Sequence, residues 1–445
     1  MRRVKTTLIY SVHELDVKQI LDGVPRIKRK PGNPGRKEKP RILDIVTAFD
    51  IETTYLKDIG HSFMYVWQFQ LGSYTIMGRT WDEFIELLKT IKFAIEENER
   101  VVCFIHNSEF EFQFIRGIYP FKKKEVFCLD RRKVVRFEMF QAVEFRCSYI
   151  HSNMSLDQFT KKMGCKTKKL TGQFDYSKIR YPWTELTDDE LLYCINDVIS
   201  LVEAIQIEMA VDGDTLETIP LTSTGYVRRK CKEAMLKKPC FHSYLNDQLP
   251  DYNFYLALRE AFRGGNTHGN RYMVGQILEN VHSVDRSSSY PDVLVNHEYP
   301  VSGFVHRGAL TMERFKLNKD QMHRAMIIRV ALFDVQLKNR YDGCPYLSKD
   351  KCRLIQGGYF DNGRVLYARY LETTVTDIDW NIIEETYQFS NPCIYDSWAA
   401  RYGKLPKEFV DVINFMYREK TRLKGGDDDQ RIYYDKFKNM INSLY

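Results

Sequence analysis

Residues 41–54, RILDIVTAFDIETT, constrain the fold more than any other stretch: the run is β-branched and alternating, and two carboxylates stand near its end. Such a pattern predicts a buried strand, with order beginning near Ile42. A buried strand needs neighbours, and the chain supplies them in alternation with helices. VVCFIHN (101–107) reads as another strand and SEFEFQFIRGI as the helix that follows it. TDDELLYCINDVISLVEAIQIEM predicts a long helix, with Thr187 and Glu190 as a capping box and Leu191, Ile195, Val198 and Val202 as its apolar stripe. Strands alternating with helices through residue 210 imply an α/β domain.

Asp50 and Glu52 lie two apart on the predicted strand, so both side chains leave one face. Neighbouring carboxylates repel unless cations sit between them, and hydrolysis by two metal ions about 4 Å apart needs such an arrangement. Taken alone, the pair equally suits a strand edge entering a polar turn. Tyr193 and Asp197 are one helical turn apart on the face opposite the apolar stripe. They reach the strand carboxylates only if that helix lines a cleft; a solvated face is the alternative. Asn107 and Glu111 stand four apart at a strand-to-helix junction, with Phe110 between them.

The net charge of +7, with 28 Tyr and 27 Phe, suits a polyanion whose bases can stack, although the same residues also fill cores and coat surfaces. The ten cysteines form no CxxC pair and the ten histidines are dispersed, which excludes the common zinc patterns and suggests reduced thiols in a cytosolic compartment. Mean hydropathy is −0.42, and no apolar run approaches bilayer length. The basic, Pro- and Gly-containing segment 24–40 reads as a flexible arm or linker.

Three further blocks lie downstream. SVDRSSSYP (283–291) reads as a strand entering a turn and then a helix. FRGG (262–265) contains paired glycines, which let a backbone approach another surface closely. The C-terminal segment reads as two helices joined at Gly425–Asp429, the second ending in KNMINSLY (438–445). Residues 300–400 look α+β, with AMIIRVALFDV as a strand; in TVTDIDW, Asp377 and Asp379 resemble a helix start more than a metal site.

The order DxE, Asn-x-x-x-acid, Tyr-x-x-x-Asp resembles the DEDD-type 3′–5′ exonucleases, which have a ribonuclease-H-like fold. That resemblance implies Asp50, Glu52 and Asp197 as ligands of Mg2+ (or Mn2+) in a two-metal site, and Tyr193 as the residue orienting the attacking water. Thr53, Asn107 and Phe110 would contact a single-stranded 3′ end. Glu111 stands where the family has Asp, and Thr171 where related phage enzymes have a lysine, for which Lys168 or Lys169 could substitute. SVDRSSSYP resembles polymerase motif A: Asp285 would hold catalytic metal, Ser288 would face the triphosphate, and Tyr290 would stack beneath the incoming sugar. KNMINSLY resembles motif B, implying that Lys438 puts an ammonium where phosphate charge develops, with the Asn442 amide nearby, and that Tyr445 packs on the nascent base pair. Lys420 or Arg418 would add a phosphate contact. FRGG resembles the YxGG linker, with Phe262 for Tyr, and implies DNA contacts at Arg263, Gly264 and Gly265.

Together these blocks resemble the protein-primed family B DNA polymerases of phages and linear plasmids. The expected architecture is a basic extension (1–41), a ribonuclease-H-like exonuclease domain (42–210), a linker with partial α+β palm (211–299), an insertion (300–400) and the start of the fingers (401–445). The implied partners are template-primer DNA, a single-stranded 3′ end, dNTPs and a terminal priming protein, in the cytoplasm of a phage-infected bacterial cell. No YxDTD block is present, so polymerisation is expected to need a further part, such as a separate C-terminal polypeptide. A 3′–5′ exonuclease alone, or a non-catalytic DNA- or primer-binding subunit, remain alternatives.

Overall fold

The computed structural model describes residues 1–27, 39–167, 175 and 177–444, and the chain divides into two compact units, 1–229 with 419–444, and 230–418. The first unit is built on nine strands: β1 (Arg2–Val4), β2 (Thr7–Tyr10), β3 (Arg41–Leu56), β4 (His61–Leu71), β5 (Tyr74–Gly78), β6 (Glu99–Ile105), β7 (Val126–Asp130), β8 (Lys133–Met139) and β9 (Val143–Cys147). They form one mixed sheet in the order β1-β2-β5-β4-β3-β6-β9-β8-β7, with β3, β6 and β9 parallel at its centre. Six helices flank it: α1 (Val17–Asp22), α2 (Trp81–Ala94), α3 (Ser108–Ile115), α4 (Ser148–Ser152), α5 (Leu156–Lys162) and α6 (Asp188–Asp212).

Alternation along β3 explains the two layers. Phe49 and Ile51 point to one face and join Phe69, Phe84 and Phe145 in an aromatic core under α2. Ala48 and Val46 point to the other face, where Phe159 of α5 and Val198, Leu201 and Ile205 of α6 cover them. Each fully buried ring contributes about 1.5–3 kcal/mol. A β-bulge interrupts the β3–β4 ladder: Glu52 pairs with Val66 but Thr53 with Met64, leaving Tyr65 as the extra residue of β4.

Order does not begin near Ile42. Residues 1–27 contribute β1, β2, a 3₁₀ turn and α1 to this unit, because Val4, Ile9, Val12, Val17 and Leu21 supply enough apolar surface to bury. Most of the expected flexible arm, 28–38, lies outside the described residues.

The second unit carries a six-stranded antiparallel sheet in the order Tyr299–Pro300, Tyr387–Gly403, Arg324–Leu337, Arg364–Thr376, Cys352–Asp361, with Val305–His306 paired to the second strand. AMIIRVALFDV lies on its central strand, and TVTDIDW starts the helix Asp377–Thr386. The expected strand before Ser287 is not formed: residues 281–287 are irregular and Val281 and Val284 are exposed. Among the described residues no strand offers that segment a ladder, and a lone strand leaves its backbone groups unpaired. The helix that follows, Ser289–Asn296, is present. So are the two C-terminal helices, Lys407–Arg422 and Asp428–Asn442.

Candidate active site

The carboxylate cluster depends on how the end of β3 is joined to the start of α6. Thr187 caps α6 by accepting from the Glu190 N–H, and the Glu190 carboxylate accepts in return from the Thr187 N–H at 2.9 Å. Arg180, 2% exposed, donates to Glu190 Oε1 through Nε (3.0 Å) and Nη2 (2.7 Å). Its backbone exchanges two hydrogen bonds with Thr54 Oγ1 on β3. Arg79 donates to the carbonyls of Tyr181 and Thr184, fixing the same segment to β5. Burial alone would raise the Glu190 carboxyl, but the Thr187 N–H, Arg180 and Lys178 hold it down to about 2.

With α6 so anchored, its second apolar-poor face meets the sheet. One ligating oxygen from each of Asp50, Glu52 and Asp197 lies within 4.8 Å of the other two. Two unit charges 4 Å apart cost roughly 4 kcal/mol at an effective dielectric of 20, so three carboxylates require cations or protons among them. An all-oxygen, anionic donor set suits a hard divalent cation such as Mg2+ or Mn2+. Glu111 adjoins Asp50: it is 3% exposed and hydrogen-bonded to Asp50, and its Oε2 is buried without a partner among the described residues. Burial, then the Asp50 charge, pushes its carboxyl well above the usual range.

Tyr193 is buried one turn before Asp197, packed with Tyr65 and Val66. Asn107 adopts the left-handed conformation (φ 74°) and caps α3, which lets the chain turn sharply from β6 and deliver Glu111 to Asp50. Phe110, 43% exposed, stands one residue before Glu111, with its ring edge-on to Phe114. Thr53 is half-buried, and strand alternation sends its side chain to the face opposite Asp50 and Glu52. Lys168, Lys169 and Thr171 lie outside the described residues.

The downstream residues are placed differently. Asp285 is exposed and belongs to no described cluster of three ligating side chains. Ser288 is left-handed (φ 51°) at the helix start, and Tyr290 is half exposed. A Cβ on Gly265 would lie 3.4 Å from the Tyr290 hydroxyl, so FRGG and the Tyr-Pro turn adjoin; nothing lies within 4 Å of such an atom on Gly264. Arg263 is committed to the fold, donating to the Thr374 carbonyl, Thr373 Oγ1 and Asp379. Lys420 is half-buried, Arg418, Lys438 and Asn442 are exposed, and Tyr445 lies outside the described residues. Asp377 accepts from the Met326 N–H and the Tyr402 hydroxyl, and Asp379 caps its helix, so both are structural.

Sequence reasoning missed Gln68, which donates to Asp50 at 2.8 Å, and Arg180. The signal for Gln68 was two glutamines inside an otherwise apolar strand, FMYVWQFQL.

Among the described residues no helix is long and apolar enough to cross a membrane. DNA polymerases of Bacillus phages Nf, M2 and B103 are each 26% identical over 279 residues, covering 62% of this chain and 44% of the relative. The chain therefore spans less than half the length of those relatives. Among solved structures, Phi29 DNA polymerase complexed with single-stranded DNA aligns with a TM-score of 0.67 at 16% identity, covering 90% of this chain and 67% of that one. The same polymerase complexed with primer-template DNA gives 0.68 with the same identity and coverage. The mixed α/β architecture is thus the fold of that polymerase. The family described as DNA polymerase type B, organellar and viral, matches residues 125–445, well over half of the sequence, and the chain belongs to that family.

Proposed function

We propose that the first unit is a 3′–5′ exonuclease acting on the single-stranded 3′ end of DNA, as the proofreading part of a replicative, protein-primed polymerase. The convergence of Asp50, Glu52 and Asp197 within 4.8 Å, from a strand and a helix far apart in sequence, carries this reading. These carboxylates would hold paired Mg2+ or Mn2+ ions, which when bound supply an activated water and stabilise charge at the leaving oxygen. The chain's own residues do the rest. Phe110 offers a ring on which the terminal base stacks, while Asn107 at the α3 cap and the Thr53 backbone flank the sugar. Tyr193 orients the attacking water from its buried position next to Asp197. Water adds to phosphorus as the P–O3′ bond breaks, releasing a nucleoside monophosphate and a new 3′-hydroxyl. Glu111, carrying its proton to higher pH than an ordinary carboxyl, keeps the ring of acids from overcharging.

In the second part of the reading, Asp285, Ser288 and Tyr290, with Lys420, Lys438, Asn442 and Tyr445, belong to dNTP binding on a template-primer. The region 300–400 meets a terminal priming protein and DNA. The place of action is the infected bacterial cytoplasm.

Incubation with 5′-labelled single-stranded DNA and Mg2+ or Mn2+ tests the nuclease. Wild type shortens the strand from its 3′ end, and Asp50→Ala with Asp197→Ala lowers the rate by about a thousandfold or more. No shortening, or shortening indifferent to the two substitutions, refutes the assignment.

A further inference from the structure

We infer that Gln68 is a positioning residue for the divalent cation site, acting through Asp50; the inference rests on the metal reading above. Gln68 and Asp50 are directly opposite each other across the β4–β3 ladder, so their side chains rise from the same face. Gln68 is 0% exposed, and its Nε2 donates to Asp50 Oδ2 at 2.8 Å. A carboxylate can only accept here, which fixes the amide with nitrogen toward Asp50. The amide oxygen is then buried without a hydrogen-bond partner among the described residues.

Gln70, two residues on and facing the same way, is the internal comparison. It is 4% exposed, yet its amide is satisfied at both ends: Nε2 donates to the Gly72 carbonyl at 2.9 Å and Oε1 accepts from Thr75 Oγ1 at 2.7 Å. Gln70 is therefore a structural glutamine. Gln68 gives its donor to an acid and leaves its acceptor open, a loss the fold tolerates without any gain in packing. An apolar residue of the same size would fill the position with no orphaned atom. What the amide supplies and an apolar residue cannot is a neutral donor that pins one oxygen of Asp50 and so fixes the carboxylate's orientation. Being uncharged, it leaves the negative charge of the cluster intact for a cation, which a lysine or arginine would not.

Removing an outer hydrogen bond to a metal ligand typically weakens the metal 10–100-fold. Mn2+ binding to the purified full chain, measured by calorimetry without DNA, reads this directly. Wild type binds Mn2+ and Asp50→Asn abolishes binding at that site; if wild type binds none, the metal reading itself fails and the role of Gln68 falls with it. Given wild-type binding, Gln68→Met raises the dissociation constant at least tenfold. Gln68→His, which restores an N–H donor, recovers most of the loss, and Gln70→Met leaves Mn2+ affinity within twofold. The inference is overturned if Gln68→Met binds Mn2+ like wild type or if Gln68→His weakens binding as much as Gln68→Met. It is also overturned if Gln68→Met fails to fold while Gln70→Met folds, since that outcome assigns Gln68 to packing.

Discussion

Replacing Arg180 by Met separates the scaffold of the site from its chemistry. The substitution keeps an aliphatic stem in the pocket and removes a guanidinium that holds Glu190 Oε1 at 2.7 and 3.0 Å and the carbonyls of Asp175 and Lys178 at 2.8 and 3.1 Å. Breaking a buried ion pair by removing one partner costs about 3–5 kcal/mol. The Thr187 N–H and Lys178 still hold Glu190, so the lower end, about 3 kcal/mol, is expected. The loss falls on the first turns of α6. Amide exchange there should accelerate roughly a hundredfold, at about 1.4 kcal/mol per tenfold, while β6 and β9 keep their protection. Adding Glu190→Gln, which preserves the capping box, should restore part of the protection, because no unpaired charge then remains. Acid provides a second reading. The Glu190 carboxyl sits near 2 in the folded chain against an ordinary value of 4.5, so its contribution is complete above pH 4.5 and is lost as pH falls toward 2. The difference between wild type and Arg180→Met should be full at neutrality and shrink across that window. Protection of α6 within threefold of wild type at pH 7, or a difference indifferent to acid, refutes the proposed anchoring.

Gly78→Ala should destabilise the first unit by about 1–3 kcal/mol, since a Cβ there would lie 2.3 Å from Trp67 Cζ2 and that ring is fully buried and tied to the Thr80 carbonyl. A lower thermal midpoint with altered tryptophan fluorescence is the expected result; an unchanged midpoint contradicts the packing. Asp379→Ala should cost about 1 kcal/mol or more in the second unit through loss of the cap at Thr376, with strand shortening unaffected. A thermal midpoint unchanged by Asp379→Ala contradicts the capping role.

The acids of the site were legible because their spacing maps directly onto strand and helix periodicity. Asp50 and Glu52 alternate onto one face, and Tyr193 and Asp197 recur after one turn. The long helix was legible in its capping box and stripe. What the sequence concealed were contacts between elements. No pattern in TDDELLYC shows that Arg180 lies under Glu190, since that pairing depends on where Thr54 holds the preceding loop. The N-terminal strands were hidden by their basic residues: Val4 and Ile9 are too few to make a periodic signal, and they bury only because β5 offers a free edge. The segment before Ser287 misled for the opposite cause, its valines suggesting a strand for which no described neighbour exists. Arg263 was legible as conformationally special through its glycines, but its hydrogen bonds hold a sheet together.

The extra residue in β4 limits how this unit can vary. With Tyr65 present, both Tyr65 and Val66 face α6, where they support Tyr193, while Met64 returns to the opposite core. Deleting one residue at that point would rotate the outer end of β4 by half a turn and carry Met64 onto the helix side, even though no acid had been touched. Insertions and deletions between 61 and 66 should therefore be far less tolerated than substitutions, and chains that shed this kink would have to rebuild the seat of the tyrosine as well.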